Sequence, residues 1–529
     1  MGLVIVHFHA DLRVFLGLKR VFPLLPPRFA LRKRLVMILP SFRLANFIIF
    51  NRLFKSMRSL VWFRRDLRIR DNSALYQAAA CAKQEGNGGV VGLFIITPEQ
   101  WKQHNDADVK VAFWIENLKC LSQSLHERNI PLIVKVCPAY EQVPEVIAKV
   151  CKKHNCNSLF FNREYEFNEL ERDKAIVAQC QSSGVSVSRF HDRVMVPPRE
   201  ISTKDGRFYS VFTPYRKVWD TRVKEFAKVL PAPRKQAALD IDPSKVPDRV
   251  KGFALSNGRP ELYPAGEAEA SRRLKSFAKR ISNYNVSRDL PSINGTSGLS
   301  GYLAAGVISP RQCLAAAKNL NDVGTQVWVS ELTWRDFYTH VMVGFPKVCK
   351  HLPFKDKTIA LNWRTSKTDF DAWAAGRTGY PIVDAGMRQL NQTGWMHNRL
   401  RMVTAMFLTK NLLIDWRLGE RYFMERLIDG DLAANNGGWQ WSASTGTDSV
   451  PYFRIFNPFS QSKRFDVDGE FIKAMCPELE PIPAKQLHDL KKLSAAIKKH
   501  QVDYPDYIVD YSEGRQRALA AFKGLSETS

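Results

Sequence analysis

The densest set of chemically capable side chains lies in thirteen consecutive residues, DGDLAANNGGWQW at positions 429–441. The set contains the carboxylates of Asp429 and Asp431, the amides of Asn435, Asn436 and Gln440, and the indoles of Trp439 and Trp441. The glycine pair within it lets backbone approach a flat ligand closely, while the acids and amides can bond the ligand's polar edge. An ordinary turn rarely needs this combination, so the segment predicts a ligand site.

Two other segments carry polar and aromatic residues at helical spacing. In the first, TGYPIVDAGMR at 378–388 leads into WMHNRLRM at 395–402, where Asn398 and Met402 would share one helical face beside Arg401. In the second, ELTWR at 331–335, Glu331, Trp334 and Arg335 would be neighbours on a helix. Each segment alone fits ordinary core and surface, and Glu331 alone fits a salt bridge to Arg335. Their occurrence together favours one site.

The elements that must hold these side chains differ between the two halves of the chain. The length of 529 residues exceeds what one hydrophobic core usually organises. Short apolar runs that predict strands occur at 60–63, 90–96, 130–136, 158–161 and 185–190. Segments with helical periodicity, such as 109–129 and 140–154, separate them. This alternation predicts an α/β domain with a doubly wound parallel sheet at 57–195, an architecture that hosts many unrelated activities.

Proline marks the predicted boundary between the halves. Six prolines lie among charged residues between 231 and 264, where a regular helix is disfavoured. We therefore predict an interdomain linker at 196–266 and a mostly α-helical domain at 267–529. Within that domain, apolar residues on several faces of 401–416 predict a buried helix.

The first 56 residues form a separate basic extension. They contain ten Lys and Arg but only one acid, Asp11, and they also contain Pro23, Pro26, Pro27 and Pro40. The prolines and the scarcity of serine argue against a clean amphipathic transit peptide. We favour an upstream start-site artefact with Met57 as the working start, and organelle targeting is the alternative.

Charge indicates a polyanionic partner. The chain has 78 Lys and Arg against 52 Asp and Glu, a net charge of +26. Without the extension 68 basic and 51 acidic residues remain, so the excess belongs to the body of the protein too. This balance is consistent with nucleic acid binding or with a generally basic proteome.

Other compositional features exclude several classes. Nine cysteines are scattered without a CxxC pair, which indicates reduced thiols in a cytoplasmic protein. We find no HExxH motif, Walker A loop or strand-linked GxGxxG, and no run of roughly 18 apolar residues that would span a membrane. We expect no metal and no membrane association, and we expect a monomer. Any cofactor must be held by another kind of site.

From Met57 to near its C-terminus the sequence resembles the photolyase and cryptochrome family, and in particular the class I cyclobutane pyrimidine dimer photolyases. The resemblance includes the opening LVWFRRDLR at 60–68 and is strongest at 378–402 and 429–441. It implies an N-terminal α/β antenna domain and a C-terminal helical domain that holds a folded FAD.

Carried over by position, the resemblance implies a set of FAD contacts. These are Tyr284, Thr296, Ser297 and Ser300 near the phosphates, and Glu331, Arg335, Asn398, Arg401, Asp429, Asp431 and Asn435. Hydroxyls and free backbone N–H groups suit phosphate oxygens, although the short Ser/Thr motif alone is more often a helix cap. Asn435 would lie opposite the flavin N5 atom, where a neutral amide stabilises reduced flavin.

The implied chemistry is photoexcitation of reduced FAD, electron donation to a DNA lesion, splitting of the cyclobutane ring and return of the electron. Glu331 would bond the pyrimidine dimer, and Asn435 would support the flavin. The resemblance also implies that Trp363, Trp416 and Trp439 carry electrons from the surface to the flavin. Taken singly, each of these tryptophans is more typical of core packing.

The expected partner is UV-damaged DNA. The residues that the resemblance assigns to its contact are Arg288, Glu331, Trp334, Arg399, Met402, Trp441 and Arg454. Trp334 and Trp441 would form aromatic walls for a flipped lesion. The arginines are candidate phosphate contacts, although an arginine is usually a solvated charge.

Asn398 and Met402 decide the expected substrate within the family. Enzymes that repair six-four photoproducts typically carry histidines at these two positions, because those lesions need acid-base help that Asn and Met do not provide. The pair therefore favours cyclobutane dimers. The alternative is a cryptochrome-type blue-light photoreceptor, which a long variable C-terminal tail would support; this chain ends soon after the family-like segment 504–522.

A second chromophore is also implied. His104, Asn168, Glu169, Cys349 and Lys350 match a pattern that accompanies a folate antenna in relatives. Glu169 would bond the pterin edge. We expect methenyltetrahydrofolate, with a deazaflavin as the alternative.

Overall fold

Five parallel strands form one sheet in the order β3-β2-β1-β4-β5 in a computed structural model that describes residues 57–84, 88–317 and 321–527. The strands are β1 (Arg58–Phe63), β2 (Val90–Ile96), β3 (Leu132–Val136), β4 (Cys156–Asn162) and β5 (Ser186–Phe190). Each overlaps a predicted strand, so the predicted doubly wound sheet is confirmed. The interpretations of residues 1–56 concern a segment outside the described residues.

The sheet creates a crevice at one edge. Its strand order reverses between β1 and β4, and in open parallel sheets such a reversal leaves a ligand crevice at the carboxyl ends of the strands. β1 and β2 are buried almost throughout because helices cover both faces. The helices that follow these strands are α1 (Ser73–Gln84), α2 (Pro98–Gln103), α3 (Asp108–His126), α4 (Val143–His154) and α5 (Phe167–Ser182).

Beyond β5 the described residues form helices and no further strands, which fits the predicted mostly α-helical second domain. In order they are α6 (Phe212–Phe226), α7 (Glu267–Ala278), α8 (Tyr284–Ser287), α9 (Ser300–Ala304), α10 (Pro310–Ala317), α11 (Val323–Gly344), α12 (Lys367–Ala375), α13 (Pro381–Thr393), α14 (Asn398–Met406), α15 (Trp416–Met424), α16 (Leu432–Ser442), α17 (Pro458–Phe465), α18 (Glu470–Met475), α19 (Ala484–Leu487), α20 (Leu490–His500) and α21 (Tyr511–Glu527). None of the helices in the described part of the chain is both long and apolar enough to cross a membrane.

The predicted single helix over 401–416 is wrong. Helix α14 passes into a π-helical turn at Phe407–Asn411 and then breaks at Leu413, whose φ is 54°. Asp415 begins the next helix, because its side chain accepts a hydrogen bond from the backbone N–H of Arg417. The apolar pattern correctly indicated burial. The stretch 401–416 is nevertheless divided between two helices, because Asp415 caps the second one.

The segment predicted as a linker contains helix α6, which packs on α11. Trp219 is 1% exposed, and the Tyr215 and Phe337 rings lie 5.1 Å apart. The prolines beyond residue 230 do exclude regular helix from most of the remaining stretch. As a domain boundary, 196–266 stays a prediction.

Buried ion pairs join the α/β domain to the helical domain. Arg311 of α10 donates to Asp71 (2.9 Å) and Asp192 (2.8 Å), and Arg68 also bonds Asp192. All four side chains are at most 7% exposed. Because removal of one partner would leave an uncompensated buried charge, this network fixes the two domains against each other.

Asp336 of α11 makes a second link between the domains. Its Oδ2 accepts hydrogen bonds from the backbone N–H groups of Met195 (2.9 Å) and Val196 (3.2 Å) and from Trp219 Nε1 (3.0 Å). Its Oδ1 is buried with no partner among the described residues. Burial raises the pKa of Asp336 to about 6 against these hydrogen bonds.

We expect Asp336→Asn to remove a pH dependence of stability. Because the folded-state pKa is raised, the native state binds the extra proton, and the free energy of unfolding of the wild type falls as pH rises from about 4 to 6. Between pH 4 and pH 7 the variant should gain about 2.4 kcal/mol relative to the wild type. Urea unfolding at both pH values measures this, with the exposed Asp240→Asn as control. An equal pH dependence in the Asp336 variant would contradict the prediction.

Candidate functional site

A cavity of about 510 Å³ lies among α11, α14, α16 and the segment before α9. The eleven residues of the predicted cofactor set line it: Tyr284, Thr296, Ser297, Ser300, Glu331, Arg335, Asn398, Arg401, Asp429, Asp431 and Asn435. Five predicted DNA contacts line it as well: Arg288, Glu331, Trp334, Met402 and Trp441. Residues from five segments of sequence thus meet at one place.

Helix α16 begins at the cavity wall. Asp431 is its N-cap and accepts a hydrogen bond from the Ala434 N–H (3.1 Å), which aims the helix and its side chains at the cavity. One turn later, Asn435 Nδ2 donates to the Glu420 carbonyl (2.9 Å). The other amide atom, Oδ1, therefore points away from that carbonyl and can accept a hydrogen bond from a ligand.

Asp429 and Arg401 form a second fixed pair in the wall. Arg401 Nη2 donates to both carboxylate oxygens of Asp429 (2.8 and 3.0 Å), and Arg401 Nε donates to the Met396 carbonyl (2.9 Å). The guanidinium is thereby held in one orientation. Charged donors and acceptors so fixed can bind the polar groups of a ligand without reorganising.

Glu331 pairs with Arg288 and not with Arg335. Its carboxylate lies 2.7 Å from Arg288 Nη1, and its side chain is 32% exposed. Arg335, which lies one helical turn away, instead donates to the Arg193 carbonyl. The two side chains thus remain separate groups at the cavity.

Aromatic rings form the partly exposed side of the cavity. The Trp334 ring stacks on Phe212, with centroids 3.7 Å apart and planes 4° from parallel. Phe212 lies in the predicted linker, remote from every motif, so sequence reasoning had no signal by which to find it. Its contact fixes the orientation of Trp334.

Some predicted residues lie outside the cavity. Arg399 is bound to Asp289 (2.8 Å) and lies over the Phe465 ring, while Arg454 is exposed. Trp439 lines the cavity and is 2% exposed. Trp416 is 1% exposed in the same apolar core, and Trp363 packs at its partly exposed edge.

A second cavity, of about 430 Å³, lies at the crevice of the parallel sheet. All five predicted antenna residues line it: His104, Asn168, Glu169, Cys349 and Lys350. Glu169 is 4% exposed and accepts a hydrogen bond from the Tyr140 hydroxyl (3.2 Å). Burial, and then the nearby Glu166, raise the pKa of Glu169.

Sequence reasoning missed the charged floor of this second cavity. Glu164 follows β4 and bonds Arg65 (2.6 Å), which follows β1, and it also bonds Arg172 (2.8 Å). Burial alone would raise the pKa of Glu164, but Arg65, Arg64 and Arg172 hold it well below its usual value. The RRD triplet at 64–66 was visible in the sequence, but its partners lie about a hundred residues away.

The first cavity fits an FAD. Its volume lies within the range of about 300–1,000 Å³ typical of ligand pockets. Three hydroxyls at 296–300 suit phosphate oxygens, and the carboxylates of Asp429 and Asp431 with the amides of α14 and α16 suit the edge of a flavin. An added Cβ at Gly438 would meet nothing within 4 Å, so this part of α16 leaves room for a ligand.

Comparison with solved structures gives the class of protein. A class III photolyase from Agrobacterium tumefaciens superposes with a TM-score of 0.79 at 33% identity, covering 89% of this chain and 98% of that one. A cryptochrome from Synechocystis gives a TM-score of 0.75 at 26% identity, covering 88% and 99%. The fold and the two cavities define a two-domain flavoprotein of the photolyase and cryptochrome type.

Sequence comparison gives the family. Residues 59–235 match the family described as DNA photolyase, and residues 328–524 match the FAD binding domain of DNA photolyase. Deoxyribodipyrimidine photo-lyases from Salmonella typhimurium and Escherichia coli are 45% and 43% identical to the chain, each covering 88% of it and 98% of their own length. The chain belongs to the DNA photolyase family.

Proposed function

We propose that this protein is a deoxyribodipyrimidine photolyase that repairs cyclobutane pyrimidine dimers in UV-damaged DNA with light and FAD. The observation that supports this most is the single cavity that collects the cofactor set and also has an aromatic, partly exposed side. Relatives that bear this enzyme's name match the chain over nearly their whole length.

When bound, FAD supplies an electron on absorbing light. The protein's part is to hold and orient. Thr296, Ser297 and Ser300 would donate to phosphate oxygens, and Arg401 with Asp429 would bond the polar groups of the cofactor. Asn435 Oδ1 would accept a hydrogen bond from flavin N5–H, and the bond from Asn435 Nδ2 to the Glu420 carbonyl keeps the amide in that orientation.

The lesion enters on the aromatic side. A dimer stacks poorly in a duplex and costs less to flip than an intact base. Trp334, held by Phe212, gives the flipped bases a stacking surface worth about 1–3 kcal/mol per base. Arg288 bonds a phosphate, and the Glu331 carboxyl bonds the pyrimidine edge. Asn398 and Met402 offer no acid or base, which suits a cyclobutane dimer better than a six-four photoproduct.

Light-dependent loss of dimers from an irradiated oligonucleotide tests this function. We expect repair only with light and only with FAD-loaded protein, and we expect no repair of six-four photoproducts. FAD binding without repair would favour the cryptochrome alternative, and failure to bind FAD would reject both.

We propose further that the second cavity binds methenyltetrahydrofolate as an antenna. Glu169 would bond the N–H edge of a pterin, and this is supported by His104 and Asn168 beside it, whose Nε2 and Nδ2 atoms are 3.1 Å apart. Cys349 and Lys350 close the cavity from the helical domain. A deazaflavin in the purified protein, recognised from its absorption spectrum, would overturn this assignment.

We expect antenna binding to weaken in acid because of Glu169. The pterin edge donates hydrogen bonds that need the ionised carboxylate, and the raised pKa of Glu169 means that a proton competes with the ligand. Affinity should be full above that pKa and fall about tenfold per pH unit below it. Titration with methenyltetrahydrofolate from pH 5 to pH 8 measures this.

Glu169→Gln should bind about tenfold or more weakly at pH 8 and lose the pH dependence, since an amide gives up a charge-assisted hydrogen bond. Glu171→Gln, at an exposed position two residues later, is the matched control. A pH-independent affinity in the wild type would count against the assigned role of Glu169.

We also propose a monomer in the reducing cytoplasm. All nine cysteines lie in the described residues, and none of them forms a disulfide. Most of the nine are buried. Burial raises the pKa of the Cys151 and Cys156 thiols, as expected for unreactive cysteines in a core. Gel filtration tests the oligomeric state.

A further inference from the structure

The turn Asp429–Gly430–Asp431 is a wall shared by the two cavities. Asp429 and Asp431 line the FAD cavity, whereas Gly430 lines the antenna cavity. Two positively charged side chains of the α/β domain donate hydrogen bonds to this turn. Lys110 Nζ donates to the Gly430 carbonyl (2.5 Å), and Arg193 Nη2 donates to Asp431 Oδ2 (2.5 Å).

Arg193 lines neither cavity but connects them. Its side chain is only 9% exposed, and its Nη1 also donates to both oxygens of Glu166 (3.0 and 3.2 Å). Glu166 in turn forms an ion pair with Arg65 (2.6 Å). Arg65 and Glu166 line the antenna cavity, so the ion chain Arg65–Glu166–Arg193–Asp431 runs from one ligand site to the other.

Arg193 contacts two residues of the FAD cavity, Asp431 through its side chain and Arg335 through its backbone carbonyl. Arg335 of α11, which lines the FAD cavity, donates to the Arg193 carbonyl. Burial alone would raise the pKa of Asp431, but Arg193 and then Arg335 hold it below its usual value. The other charged groups that face Asp431 are Glu166 and Arg65. Loss of Arg193 therefore removes the largest favourable charge at Asp431.

We propose that Arg193 is a positioning residue for the flavin, and that through it the occupancy of the antenna cavity and that of the FAD cavity are energetically coupled. This inference rests on the proposed FAD and antenna sites. Arg193 keeps Asp431 ionised and fixed at the flavin edge. A ligand that contacts Arg65 or Glu166 changes the field on Arg193 and thus on Asp431. By linkage, each ligand changes the affinity for the other by the same factor.

FAD titration of the full-length protein stripped of cofactors tests the proposal, with and without saturating methenyltetrahydrofolate. In the wild type we expect antenna loading to change the FAD dissociation constant by about fivefold or more. Arg193→Met should weaken FAD binding by about tenfold or more at pH 7, abolish the effect of the antenna ligand, and make FAD affinity vary with pH. Arg193→Lys, which keeps the charge, should restore much of the affinity and the flat pH profile.

Two further variants separate positioning from loss of structure. Arg199→Met, an exposed arginine nearby, should bind FAD like the wild type. In an Asp431→Asn background, Arg193→Met should have a much smaller effect, because the charge it balances is gone. If Arg193→Met matches the wild type in affinity, pH profile and antenna response, the proposal is overturned while the repair function stands. If the wild type itself does not bind FAD, the proposed function fails first.

Discussion

Gly437→Ala is expected to destabilise the protein by about 3 kcal/mol and to weaken FAD binding. A Cβ at this position would lie 2.2 Å from Cδ1 and 2.3 Å from Cε1 of Tyr338, far inside contact distance. Tyr338 belongs to α11, so the methyl group must push α11 and α16 apart, and overpacking of this kind typically costs about 1–3 kcal/mol. These two helices carry Arg335 and Asn435, so the cavity should deform as well.

Gly438→Ala is the matched control for Gly437→Ala. It changes the next residue of the same helix in the same way, but its Cβ would meet nothing within 4 Å. In a helix interior this change usually stabilises by about 0.5–1 kcal/mol. Because Gly438 lines the cavity, the methyl group should nevertheless lower FAD affinity. Urea unfolding of the cofactor-free proteins and FAD titration separate the two effects. Equal stability of the two variants would refute the packing argument.

Trp416→Phe is expected to slow light-driven reduction of bound FAD by an external reductant about tenfold or more, equivalent to about 1.4 kcal/mol in the barrier. Trp439 lines the cavity, Trp416 is buried behind it, and Trp363 is partly exposed. The Trp439 ring lies against α15, since a Cβ at Gly419 would be 2.1 Å from its Cη2. We therefore infer a route from Trp439 through Trp416 to the partly exposed Trp363, and phenylalanine is much harder to oxidise than tryptophan.

Trp373→Phe is the control for the tryptophan chain. Trp373 is fully buried, and its ring centroid lies 6.0 Å from that of Trp439, but it is not one of the three predicted carriers. Absorbance under steady blue light measures the rate of reduction. Repair by Trp416→Phe protein that has been reduced chemically beforehand should stay at the wild-type level. Equal slowing in both variants would contradict the assigned route.

Local patterns were sufficient for much of the fold. Each predicted strand has its counterpart, because continuous apolar runs bounded by helical segments have few other ways to bury their side chains. The same reasoning failed at 401–416, where Asp415 caps a new helix inside an apolar stretch. Periodicity records which residues are buried, but it does not record where the backbone changes direction.

The candidate site likewise contains residues that could be identified from the sequence and contacts that could not. Residues close together in sequence, such as Asp429, Asp431 and Asn435, were identified because a helix N-terminus brings them together whatever surrounds it. The partner of Glu331 was not: helical spacing suggested Arg335, whereas packing places Arg288, 43 positions earlier, at 2.7 Å.

The sequence by itself determined the basic character of the protein, and it predicted the α/β and helical halves and the residues that line the two cavities. Only the tertiary structure decided that the two cavities share a wall and that Arg193, 238 positions before Asp431, lies between them. The reason is physical: short-range spacing follows from helix and strand geometry, whereas contacts between remote segments depend on how whole elements pack and which buried charges must be paired.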